Sequence, residues 1–99
     1  MRASQLLDKY SDEIRSIAER YEREGIHNLR VFGSVAKGLD TDSSDVDFLV
    51  DTGPGVTLFT IGGMYDELEQ LLGTKIDLIT TGSIPEHLKP QILEEARPI

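Results

Sequence analysis

Leu6, Leu7, Tyr10, Ile14, Ile17, Ala18 and Tyr21 recur at steps of three and four residues, the spacing of one apolar stripe on an α-helix. The pattern predicts a helix opening at an N-cap Ser4 and stopping at Gly25. Tyr10 and Tyr21 fall on that stripe and read as core packing rather than ligand contacts. From Asn28 to Phe32 the period changes to two, with Leu29 and Val31 on one face, which predicts a first strand. Asp45 to Asp51 alternates again, setting Val46, Phe48 and Val50 against Asp45, Asp47 and Leu49. This is a half-buried strand whose second face is polar. Leu58, Ile61, Met64, Tyr65, Leu68, Leu71 and Leu72 predict a helix ending at Gly73, weakened near its start by Gly62-Gly63. Lys75 to Thr80 predicts a third strand, with Asp77 set inside an apolar run. Ser83-Ile84-Pro85-Glu86 has the form of a capping box. Pro90 disfavours helix at Lys89, so a last short helix is expected across Gln91 to Ala96. His87 and the tail from Ile84 to Ile99 are expected to finish the core.

A helix between the second and third strands favours a parallel pair. Asp45, Asp47 and Asp77 all lie at strand starts, so parallel pairing carries the three acids to one end of the sheet. The end of strand one, at Gly33-Ser34, reaches the same place if that strand runs antiparallel to strand two. The expected fold class is α+β, a small mixed β-sheet with helices packed on one face.

Composition narrows the reading further. Ninety-nine residues suit one domain over residues 1–99, and there is no internal repeat or low-complexity segment. A formal charge of −8 argues against direct nucleic-acid binding, which rests on Lys and Arg. Without cysteine there is no disulfide framework, in keeping with a cytoplasmic location. The N-terminus becomes charged too early for a signal peptide, and no apolar run has the ~18 residues of a membrane span.

The chemistry concentrates between Phe32 and Asp47. A Gly33-Ser34 turn feeding a helix start offers backbone N–H groups to an anion. Ten residues separate Ser34 from the Asp45-Val46-Asp47 strand start, where both carboxylates share a face with Cα atoms roughly 6.5 Å apart. Acids beside a phosphate cradle need cations between them, and Mg²⁺ joins one or two carboxylates to substrate phosphates. A two-ion arrangement supports in-line displacement at phosphorus, Asp45 and Asp47 ligating both ions while Asp77 holds the nucleophile side and accepts the hydroxyl proton. The spacing of Gly33 and Gly38 is not a P-loop, because Leu39-Asp40 stands where Lys-Ser/Thr is required.

Strand, Gly-Ser, ten residues, Asp-x-Asp, helix and a further Asp in the next strand together resemble the DNA polymerase β-type nucleotidyltransferase superfamily. The likeness is greatest to its minimal nucleotidyltransferase (MNT) proteins. It implies that Gly33, Ser34, Lys37 and Ser44 bind the nucleotide, ATP, and that Asp45, Asp47 and Asp77 are at once catalytic and the ligands of two Mg²⁺ ions. Where such proteins often read Arg-Ala-Arg-Gly or Tyr-Ala-Arg-Gly, this chain has Val35-Ala36-Lys37-Gly38, so a point charge replaces the forked guanidinium. The resemblance further implies an antitoxin working on a HEPN-domain toxin in a complex of two kinds of chain. It would act by transferring AMP to a toxin tyrosine or by occluding the toxin without catalysis. A third possibility is a small-molecule nucleotidyltransferase, for which this chain has no residues to build the usual extra helical domain.

Overall fold

In the computed structural model, which describes residues 1–99, the first apolar stripe is carried by two helices, α1 (Ala3–Lys9) and α2 (Ser11–Glu22). A single helix was the expectation from periodicity. Tyr10 leaves the helical region at φ −107°, ψ 20°, yet its N–H still reaches the Leu6 carbonyl and its own carbonyl accepts from Ile14. The stripe continues across this kink, so side-chain spacing does not register it. Ser4 is not the N-cap. Its N–H donates to the Asp40 carboxylate at 3.0 Å, which ties the loop of residues 39–44 to α1. Asp40 is buried, and the hydrogen bond from Ser4 holds its carboxyl below the usual range.

The chain continues through β1 (Ile26–Phe32), α3 (Gly33–Ala36), β2 (Val46–Thr52), α4 (Leu58–Leu72), β3 (Ile76–Thr80), α5 (Lys89–Glu95) and β4 (Arg97–Pro98). The strands form one mixed sheet in the order β3-β2-β1-β4. β2 runs parallel to β3 and antiparallel to β1, as the converging acids require. Val46, Phe48 and Val50 of β2 join Ile14, Ile17 and Tyr21 of α2 and Met64, Leu68 and Leu72 of α4 in the core. Each such side chain contributes ~1.5–3 kcal/mol on burial. The alternate residues of β2 face the other way, although Leu49 among them is also fully buried. At the end of the sheet away from Asp47, Arg30 of β1 pairs with Asp51 of β2 at 3.0 Å and reaches Thr81, just past β3, at 3.3 Å. That network braces three strands. No helix is long and apolar enough to cross a membrane.

The C-terminal segment departs from its sequence reading. The Ser83–Glu86 box does not form. Thr81–Ser83 is a 3₁₀ turn, and the Ser83 hydroxyl donates to the Thr80 carbonyl at 2.8 Å. α5 begins at Lys89, ahead of the expected start, because Pro90 lies in the first turn, where its missing N–H breaks no helical bond. Arg97–Pro98 then pairs with the free edge of β1, a strand too short for any periodicity. Ile84 is buried and Ile99 packs on the core, whereas His87 is exposed.

The two α4 glycines differ in what surrounds them. A Cβ at Gly63 would meet the Tyr21 hydroxyl at 2.8 Å, and nothing lies within 4 Å of one at Gly62. That hydroxyl donates to Glu67 at 2.6 Å, and Glu67 also pairs with Arg20. Gly62→Ala is therefore expected to stabilise the fold by about 0.5–1 kcal/mol through helix propensity alone. Gly63→Ala gains the same propensity but must move a buried tyrosine, at a cost of about 1–3 kcal/mol. Urea melts of the two variants check this, and equal stabilisation would show that Tyr21 does not pack on Gly63.

Candidate active site

β1 ends at Phe32, whose antiparallel partner is Asp47. The chain then turns at Gly33, which has φ +72°, and a Cβ at this position would overlap Asp47 Oδ2. Glycine is thus required twice, once by the backbone and once by the neighbouring carboxylate. On the other side of β2, the parallel register sets Asp77 opposite Asp47. Burial, then the charge and hydrogen bond of Asp77, then the charge of Asp45 push the Asp47 carboxyl up to about 6. Asp45 lies just before β2, two residues from Asp47, and its Oδ2 is 3.8 Å from the Lys75 ammonium. Lys75 is the residue that sequence reasoning missed. Its signal was there in the matching spacing, since Lys75 precedes Asp77 by the same step as Asp45 precedes Asp47.

The remaining candidates are spread around this centre. The Gly33 carbonyl accepts from the Lys37 N–H at 3.1 Å and the Ser34 carbonyl from the Leu39 N–H at 2.8 Å, which fixes the bend. The Lys37 ammonium reaches outward to Glu95 of α5 at 3.1 Å. Hydrogen bonds from Gln91 and then Lys37 hold the Glu95 carboxyl below its usual range. The Ser44 hydroxyl accepts the Thr41 N–H at 2.8 Å and closes the loop that delivers Asp45. Gly33, Asp47 and Asp77 are therefore gathered together. Asp45 adds its charge from beside Lys75, while Lys37 and Ser44 make contacts of their own. A surface cavity of about 230 Å³ between α2 and the start of β1 includes none of these residues.

No three carboxylate or imidazole side chains converge closely enough to hold one ion unaided. Asp47 and Asp77 nevertheless offer an all-oxygen pair in which burial and then mutual repulsion raise Asp47, next to a glycine that leaves the carboxylate uncovered. Mg²⁺ completes its octahedron with water and phosphate when one or two carboxylates hold it. The donor set fits such an ion.

The nucleotidyltransferase-domain family profile matches residues 11–99 of this chain. Protein adenylyltransferase MntA of Thermococcus cleftensis is 33% identical over an alignment of 89 positions that covers 85% of this chain and 90% of that protein. A solved structure described as a minimal nucleotidyltransferase has a TM-score of 0.82 at 33% identity, over 94% of this chain and 95% of its own. The fold is shared at 17% identity, with a TM-score of 0.61 over 96% of this chain and 70% of the other, with a structure of a tri-AMPylated Shewanella oneidensis HEPN toxin in complex with MNT antitoxin. With the family profile spanning β1 through β4 and the acids in the register just described, the chain belongs to the nucleotidyltransferase-domain family.

Proposed function

We propose that the chain is an Mg²⁺-dependent protein adenylyltransferase that transfers AMP from ATP to a hydroxyl, a tyrosine in kind, of a HEPN-domain toxin and so acts as its antitoxin. The observation that carries this reading is the parallel register setting Asp77 against Asp47 beside Gly33. The name of the Thermococcus relative and the AMPylated toxin held by the Shewanella neighbour supply the substrate class.

Two Mg²⁺ ions shared among Asp45, Asp47 and Asp77, with phosphate and water completing each, would offset charge on the triphosphate and acidify the attacking hydroxyl. Asp47 and Asp77 would supply the pair already adjacent, and Asp45 would join on leaving Lys75. The Gly33-Ser34 bend receives the β- and γ-phosphates on backbone N–H groups. Asp77 is exposed on β3 and faces the acceptor, whose hydroxyl proton it takes. The acceptor oxygen forms a bond to the α-phosphorus as the bond to the bridging oxygen of the β-phosphate breaks, releasing pyrophosphate. Asp47 is half-buried between Gly33 and Asp77 and has little freedom to turn. It therefore fixes the position of the centre.

Incubation with α-labelled ATP, Mg²⁺ and a cognate HEPN-domain toxin is expected to move label to the toxin, with intact mass rising by whole AMP units. Asp45→Ala combined with Asp47→Ala is expected to abolish both labelling and neutralisation. Neutralisation that survives this double change would assign the antitoxin effect to occlusion.

A further inference from the structure

The register that sets Asp77 opposite Asp47 begins at Val46 and Ile76, and one residue before each of these Asp45 and Lys75 lie side by side. Val46 pairs with Ile76, and the Val46 N–H donates to the Lys75 carbonyl at 3.3 Å. Residues two apart on a strand share a face, so the starts of β2 and β3 present a quartet of three acids and one ammonium. The ammonium is directed at one member of the quartet, with Lys75 Nζ 3.8 Å from Asp45 Oδ2. The other lysine of the site, Lys37, is engaged with Glu95. Lys75 is thus the cation that the fold itself supplies to the acids.

We infer that Lys75 is the resident counter-ion of the site, holding Asp45 in the absence of a divalent ion and competing with such an ion for that carboxylate. This rests on the reading of Asp45 as a metal ligand. An ammonium and a hard cation both seek carboxylate oxygen, and their like charges oppose sharing it. Entry of a divalent ion therefore requires the lysine to swing away. The Lys75 side chain is 72% exposed, so the swing encounters no packing. The pair is also weak, as exposed ion pairs are. A counter-ion of this strength holds Asp45 in place and still yields to a metal–nucleotide complex.

The test is Mn²⁺ binding to the full chain without nucleotide, followed by the electron paramagnetic resonance of free Mn²⁺. Lys75→Gln is expected to tighten binding about two- to fivefold, the upper part of the range an exposed pair spans. Arg15→Gln removes the same charge from α2, where Arg15 pairs with Asp12, and is expected to change it by less than half as much. Lys75→Arg should stay near wild type. In an Asp45→Asn background, Lys75→Gln should have no further effect. An equal response to Lys75→Gln and Arg15→Gln, or one that persists without the Asp45 carboxylate, overturns the inference and leaves the transferase reading standing. A wild type that binds Mn²⁺ and responds as expected but transfers no AMP refutes the transferase reading alone. A wild type that takes up no Mn²⁺ without nucleotide overturns the inference, because there is then no competition for Asp45, and leaves the transferase reading to the labelling assay.

Discussion

Asp47→Asn is expected to melt at a higher temperature than the wild-type chain in the absence of metal, while losing AMP transfer. Burial and the neighbouring Asp77 push the Asp47 carboxyl up to about 6, against an ordinary value near 3.9. Between those limits the folded chain binds more protons than the unfolded one, so metal-free stability falls as pH rises through this window and stays low above about pH 6. At neutral pH the ionised carboxylate is therefore a standing cost. Solvent reaches half of the site, so about 1 kcal/mol is the figure to expect. Asparagine keeps the shape, can donate to Asp77 and carries no charge. The gain corresponds to about 4–8 °C for a domain of this size and should disappear below pH 4. Saturating Mg²⁺ reverses the order, because an ion bound only by the folded wild type stabilises it. Transfer should fall by at least about ten- to a hundredfold, the loss that even outer-shell partners of a metal produce. Thermal melts in chelator and in Mg²⁺, with the labelling assay beside them, measure all three effects. A chelated Asp47→Asn that melts below wild type would show that the two acids do not oppose each other in the fold.

The sequence carried the parts of this site that follow from local spacing. The α4 stripe and the three longer strands rest on periods of 3.6 or two, and the structure places each within a few residues of its expected bounds. The convergence of Asp77 followed from a connection rule, because a helix between two strands favours a parallel pair. What escaped depends on pairing across the chain. Lys75 has no visible role until register puts it beside Asp45. The outward turn of Lys37 depends on Glu95, more than fifty residues away in a helix whose docking no spacing encodes. Asp40 lies in a polar stretch without apolar period, and only the arrival of α1 makes it a buried cap for the Ser4 N–H. Ser83 had the right residues for a capping box, but β3 runs straight into a 3₁₀ turn and its hydroxyl bonds backwards to Thr80 instead.

Gly33→Ala should lose both stability and activity, and Gly38→Ala separates the two causes. Both glycines have positive φ, +72° and +74°, so alanine at either position takes a left-handed backbone at a cost of about 1–2 kcal/mol. At Gly38 nothing lies within 4 Å of the added methyl. Strain is then the whole effect, and transfer should stay within a few-fold of wild type. At Gly33 the methyl overlaps Asp47 Oδ2. That carboxylate has nowhere easy to go, because Asp77 stands beside it and β2 anchors it between the buried Val46 and Phe48. It must rotate off its position, and a displacement of about 1 Å at a reacting centre costs on the order of a hundredfold in rate. Melts should show a loss of similar size for the two variants, with any excess at Gly33 measuring the crowding of Asp47. Labelling should divide them by about two orders of magnitude. If both alanine variants transferred AMP equally well, the contact between the bend and the acid would have no part in the chemistry, and Gly33 would be needed for its backbone alone.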